Sequence, residues 1–154
     1  MSALREKFEQ LREIYPPQMR SSLVLPLLQA IQQEKGYVSA EDAEMVAQYA
    51  AVPAGRVMEA LSWYTMFRCQ PVGRHVVRVC RNIACSLRGA ERLIGHLQKR
   101  LGVAVGETTA DGRFTLQTVE CLASCGSAPV MQVDETYHEA LSEARINQVL
   151  DDLT

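Results

Sequence analysis

Val79-Cys80-Arg81-Asn82-Ile83-Ala84-Cys85 and, later, Glu120-Cys121-Leu122-Ala123-Ser124-Cys125 are the two stretches from which the chain is best read. They hold four of its five cysteines, spaced C-x4-C and C-x3-C. Between them lies a segment that reads as helix, turn and strand. Two close thiol pairs, one per loop, are what a tetrahedral four-thiolate site requires.

Working outward, His75-Val76-Val77-Arg78-Val79-Cys80 is a β-branched run and predicts a strand ending at Cys80. Arg88 to Leu101 predicts a helix, with Ala90, Leu93, Ile94, Leu97 and Leu101 on one face. Cys85 is expected in the loop before it. Asp111-Gly112 marks a turn, and Phe114 to Val119 alternates as a second strand. A third strand is expected over 129–133 and a short fourth around Tyr137-His138. Ser142 is placed to cap a last helix with Ile146, Val149, Leu150 and Leu153 inward. If the first two strands are neighbours, both cysteine loops leave the sheet on the same side and four sulfurs converge.

Upstream, the pattern is helical. Leu4, Phe8, Leu11 and Ile14 predict a short amphipathic helix that Tyr15-Pro16-Pro17 ends. Ser21 or Ser22 is the expected cap of a second helix carrying Leu23, Leu27, Leu28 and Ile31, stopped by Gly36. Ser39 with Glu41 and Asp42 predicts a third start, and Pro53 the first position of a fourth helix. The division expected is a four-helix unit over 1–72 and an α/β domain over 73–154. A helical unit of that size is marginal alone and needs a neighbour or partner.

Composition bounds the classes. Apolar residues at 47% and charged residues at 22% are globular proportions, so a real core is available. A net charge of −2 gives no bulk attraction to nucleic acid or anionic membrane. No apolar run approaches the ~20 residues of a membrane span, and with no apolar run at Met1 to Lys7 secretion is not expected. A reducing cytoplasm then favours thiolates and metal ligands over structural disulfides, as does the odd cysteine count.

Three chemistries compete for the four thiols. A [2Fe–2S] cluster has two irons, each needing two sulfurs, and small residues at Ser86, Gly89, Ser124, Gly126 and Ser127 would let backbone N–H groups approach it. Structural zinc also takes four thiolates, and the spacings fit its knuckles loosely. Dithiol redox chemistry ranks third, since there is no C-x-x-C. Spacing favours the cluster and leaves zinc open.

Tyr64-Thr65-Met66-Phe67, Pro71-Val72-Gly73-Arg74-His75, the two cysteine loops, Asp111-Gly112-Arg113-Phe114 and Ala128-Pro129 together resemble the 24 kDa (E) subunit family of NADH:quinone oxidoreductase, respiratory complex I. The small subunits of NAD-dependent hydrogenases and formate dehydrogenases share the pattern. The resemblance implies a thioredoxin-like ferredoxin domain with one [2Fe–2S] cluster on Cys80, Cys85, Cys121 and Cys125, each local pair holding one iron. It further implies an electron-transfer role beside a flavoprotein partner that carries FMN and NADH, with further iron–sulfur subunits. The expected place is the cytoplasm, in a peripheral arm on the cytoplasmic face of the inner membrane. Neither direct membrane insertion nor nucleic-acid binding is expected.

Other residues carry plainer expectations. Cys69 lies outside both loops and reads as a surface or half-buried thiol. Arg74, Arg81 and Arg88 flank the loops and either offset cluster charge or sit solvated. His75, His96 and His138 have no spacing that joins them to the cysteines. Trp63, Tyr64, Met66 and Phe67 read as core packing, with partner docking second. There is no dinucleotide fingerprint, P-loop or nucleophile triad, so a place for NADH or flavin is not expected on this chain.

Overall fold

The structure, a computed structural model, describes residues 2–153 and divides into two compact units, Met1–Pro71 and Val72–Thr154. The first holds helices α1 (Ser2–Ile14), α2 (Val24–Lys35), α3 (Ala40–Ala50) and α4 (Ala54–Trp63). Their inward faces form one core that includes Phe8, Leu27, Leu28, Ile31, Val46 and Val57. The four expected helices are therefore present, with Met1 outside the described residues. Ile14, expected on the buried face of α1, is 72% exposed because the helix ends there and the chain turns away into Tyr15-Pro16.

Two expected starts differ. A 3-10 helix over Pro17–Leu23 occupies the segment holding Ser21 and Ser22, so neither caps α2. Leu23 stands at that boundary in helical conformation, and Pro26 falls in the first turn of α2, where its missing donor costs least. Pro53 is the residue before α4, not its first. Gly36 ends α2 at φ +84, a left-handed cap. At α3, Ser39 and Asp42 form a reciprocal capping box. Phe67 packs into the core as expected, but Trp63 is 80% exposed, and Tyr64 and Met66 are exposed too.

In the second unit, a four-stranded sheet has the order β2-β1-β3-β4, from β1 (His75–Cys80), β2 (Phe114–Val119), β3 (Met131–Val133) and β4 (Thr136–His138). β1 and β2 run parallel, with His75 opposite Phe114 and Cys80 opposite Val119. β3 pairs antiparallel with β1, and β4 with β3. The crossover from β1 to β2 passes through α5 (Ile83–Leu87) and α6 (Ala90–Leu101), and α7 (Glu143–Asp152) closes the unit. Val77, Val79, Leu116, Met131 and Val133 of the sheet share one core with Leu93 and Leu97 of α6 and Ile146 and Val149 of α7. Ser142 caps α7 as expected, its Oγ accepting the Arg145 N–H at 3.2 Å.

The helix expected over 88–101 starts at Ala90, and the loop expected before it holds a separate short helix, α5. Gly89 sits at φ +89 and breaks the run, so Cys85 lies inside α5 and not in a loop. β3 is shorter than expected because Pro129 has no N–H and that of Val130 is turned to the Cys85 sulfur. Asp134 ties the β3–β4 turn back to β1, accepting the Val76 N–H at 2.9 Å and meeting His75 Nδ1 at 2.7 Å. Among the described residues, no helix is long and apolar enough to cross a membrane.

Candidate metal centre

Parallel pairing sets the site. Because β1 and β2 run together and end in register at Cys80 and Val119, the chain leaves both strands at the same end of the sheet. Cys80 is the last residue of β1, Cys85 lies one turn into α5, and Cys121 and Cys125 follow β2. All five cysteines are free thiols.

The first pair is buried and the second exposed. Cys80 and Cys85 sit in a small cluster of their own with Ala90, Leu122, Ala128 and Val130. Backbone bonds lock this floor: the Cys80 N–H donates to Val130 O at 3.1 Å, and the Arg81 N–H to Val119 O at 3.0 Å. Asn82 starts α5, its Oδ1 accepting the Ile83 N–H at 2.8 Å, while the Ser86 hydroxyl donates to Arg81 O at 2.9 Å.

The two loops bring their sulfurs near one another. The Cys80 thiol is within hydrogen-bond reach of those of Cys85 and Cys121, and Cys85 in turn feels the charges of Cys80 and Cys125. Burial pushes the Cys80 thiol up, but the N–H groups of Asn82 and Leu122 and the two neighbouring thiols outweigh it, leaving Cys80 below the ordinary thiol range. Cys85 lies above that range, through burial first and then through its contact with Cys80, despite the N–H of Val130. The Ala123 N–H points to the Cys121 sulfur at 3.2 Å, with Ala123 held at φ +57. Among the described residues, no group of three or more His, Cys, Asp or Glu side chains is gathered as a ready shell for one metal ion.

The donor set nevertheless fits an iron–sulfur cluster. It offers four soft sulfur ligands in two pairs, a dry floor under one pair, and four backbone N–H groups aimed at sulfur. The identity of those donors departs from expectation. The N–H groups of Ser86, Gly89 and Ser127 are spent on the carbonyls of Asn82, Ser86 and Ser124. The sulfur-directed ones belong to Asn82, Leu122, Ala123 and Val130. A backbone donor leaves no mark in residue type, so nothing in the sequence singles out Val130 or Leu122.

Of the flanking arginines, Arg81 links the two loops. Its Nε and Nη2 meet Glu120 Oε1 at 2.9 and 2.5 Å. Both side chains are more than half exposed, so the pair orients the loops more than it stabilises them. Arg74 and Arg88 are exposed. The histidines are engaged elsewhere: His75 with Asp134, His96 with Asn147 at 2.8 Å, and His138 on β4 opposite Met131. Cys69 is exposed in the other unit. A feature without a sequence signal is Glu139, whose carboxyl is held below the usual carboxylate range by the hydroxyls of Ser124 and Ser127.

A small mixed sheet backed by two helices, with sulfur donors gathered where its parallel strands end, defines the thioredoxin-like class of iron–sulfur proteins. The chain belongs to the thioredoxin-like [2Fe–2S] ferredoxin family, whose family model matches residues 8–154. It is 43% identical over 148 residues to the E 2 subunit of NADH-quinone oxidoreductase from Rhizobium meliloti (strain 1021), covering 96% of this chain and 87% of the relative. It is 41% identical over 137 residues to NADH-quinone oxidoreductase subunit 2 of Thermus thermophilus, covering 88% and 76%. A solved NAD+-reducing [NiFe]-hydrogenase in the H2-reduced state superposes with a TM-score of 0.68. At 22% identity, over 82% of this chain and 22% of that one, it speaks for the fold alone.

Proposed function

We propose that the protein is the 24 kDa-type electron carrier of an NADH-oxidising complex, holding one [2Fe–2S] cluster on Cys80, Cys85, Cys121 and Cys125. The observation that carries this is the approach of Cys80 to Cys85 and to Cys121 of the second loop, at one end of a family-matched sheet. Cys80 and Cys85 would hold the inner iron and Cys121 and Cys125 the outer one, in line with the buried and exposed character of the two pairs. The cluster, when bound, supplies one-electron exchange. The chain's own work is to neutralise sulfur charge with N–H groups, to keep water from the inner pair, and to present the outer pair at the surface.

Within this reading, residues 73–154 are the cluster-bearing domain and residues 1–72 the helical part. FMN and NADH belong to a partner flavoprotein, which would exchange single electrons with this chain, and further iron–sulfur subunits complete the assembly. The relatives named as NADH-quinone oxidoreductase subunits support this assignment over a hydrogenase or formate dehydrogenase. The place that follows is a peripheral arm on the cytoplasmic face of the inner membrane.

The test is to isolate the native assembly through this chain, identify its companions by mass spectrometry, and add NADH. Reduction of the cluster by NADH in the assembly, but not in the isolated chain, is the expected result. An isolated chain that oxidises NADH unaided, or an assembly without a flavoprotein, would overturn the assignment.

A further inference from the structure

Glu139, between β4 and α7, reaches back to the second cysteine loop, where its carboxylate accepts the Ser124 hydroxyl. The hydroxyls of Ser124 and Ser127 lie 2.9 Å apart. The backbone doubles the link: Ala140 N–H donates to Ser127 O at 2.7 Å and Leu141 N–H to Pro129 O at 3.1 Å. Residues 139–141 therefore clasp residues 124–129, the stretch that holds Cys125. An ionised carboxylate only accepts, so the single Ser124 proton goes to Glu139, while the Ser127 hydroxyl lies within reach of both Glu139 and Ser124 Oγ. The Ser124 hydroxyl beside Cys125 is thereby committed away from its sulfur.

We propose that Glu139 is a positioning residue for the cluster: acting through Ser124, it fixes the Cys125 loop and withholds the Ser124 hydroxyl from the Cys125 sulfur. The proposal rests on reading Cys125 as a ligand. Hydrogen bonds to sulfur and net charge both set reduction potential. Glu139→Ala removes a negative charge and frees a donor, and both changes make reduction easier. Glu139→Gln keeps a carbonyl that accepts the same proton, and Ser124→Ala breaks the clasp while leaving the charge.

The experiment uses the full chain purified anaerobically, with EPR-monitored redox titration, cluster loss to an iron chelator, and amide hydrogen exchange. Glu139→Ala is expected to raise the midpoint potential, to lose its cluster roughly fivefold faster, and to speed exchange at Ser127 and Ala140 by a similar factor, as loss of one ordinary hydrogen bond sets. Ser124→Ala should match it in cluster loss and exchange, while Glu139→Gln restores both close to wild type. An iron-bearing wild type with a Glu139→Ala variant unchanged in potential and loss rate would overturn this inference and leave the ligand assignment standing. A failure of Glu139→Gln to restore the loss rate would overturn it equally. A wild type without iron would overturn the ligand assignment itself, and this inference with it.

Discussion

Replacing Asp42 tests how a buried charge holds the helical unit. Its side chain is 3% exposed and accepts from the Ser39 N–H at 3.0 Å and the Ser39 hydroxyl at 2.9 Å. Lys35 Nζ binds its other oxygen, but Lys35 is 45% exposed. A capping residue is worth ~1 kcal/mol and hydrogen bonds to a charged group ~1.5–3 kcal/mol, whereas a solvated ion pair adds under ~1 kcal/mol. Asp42→Ala should therefore cost ~2–3 kcal/mol at pH 7, and Lys35→Met less than ~1 kcal/mol. Burial alone would raise the Asp42 pKa, but Lys35 and the Ser39 donors outweigh it and hold it below the ordinary aspartate value. A depressed folded pKa means the stabilisation is full above the unfolded value and is lost as pH falls through the folded one. Asp42→Asn keeps a neutral acceptor and does not titrate, so its deficit against wild type should shrink below about pH 4. Urea unfolding followed by far-UV circular dichroism at pH 7 and pH 3 reads both effects. An Asp42→Ala cost under ~0.5 kcal/mol, or an Asp42→Asn deficit equal at both pH values, would refute the reasoning.

Three further outcomes follow from the second unit. A Cβ at Gly73 would lie 2.9 Å from the Phe114 carbonyl carbon and 3.0 Å from Arg113 O, so Gly73→Ala should cost ~1–3 kcal/mol in urea unfolding. Gly73 lies before β1, at the opposite end from Cys80, so iron per chain should stay unchanged at low temperature in that variant. Leu116 is fully buried beneath α6 and α7, and Leu116→Ala should lower the unfolding free energy by ~2–5 kcal/mol. Alanine at Cys80, Cys85, Cys121 or Cys125 should each deplete iron and visible absorption, whereas Cys69→Ala should leave both intact; a colourless Cys69 variant would show the ligands to be misassigned.

The scaffold was legible where one residue type forces one geometry. The β-branched run at 75–80, the Ser39–Asp42 capping box, Gly36 and Ser142 each name a local structure that burial then fixes. The periodicity of Ala90 to Leu101 pointed to α6 but hid α5, because a five-residue helix has no apolar stripe and Gly89 reads equally as helix interior or break. Ser21 and Ser22 have the chemistry of caps, yet a proline-led 3-10 helix takes the position. At the site, the thiols were visible and their surroundings were not. Two of the four N–H groups that meet the sulfurs belong to Leu122 and Val130, whose side chains serve the apolar floor, and Glu139 is distant in sequence from the loop it holds.

One [2Fe–2S] centre on four cysteines is expected. It is tested most directly by iron and acid-labile sulfide analysis of the anaerobically purified chain, with low-temperature EPR after dithionite. Two irons and two sulfides per chain, silent when oxidised and giving a single-spin signal when reduced, is the predicted result. A colourless chain with stoichiometric zinc and no reduced-state signal would contradict it.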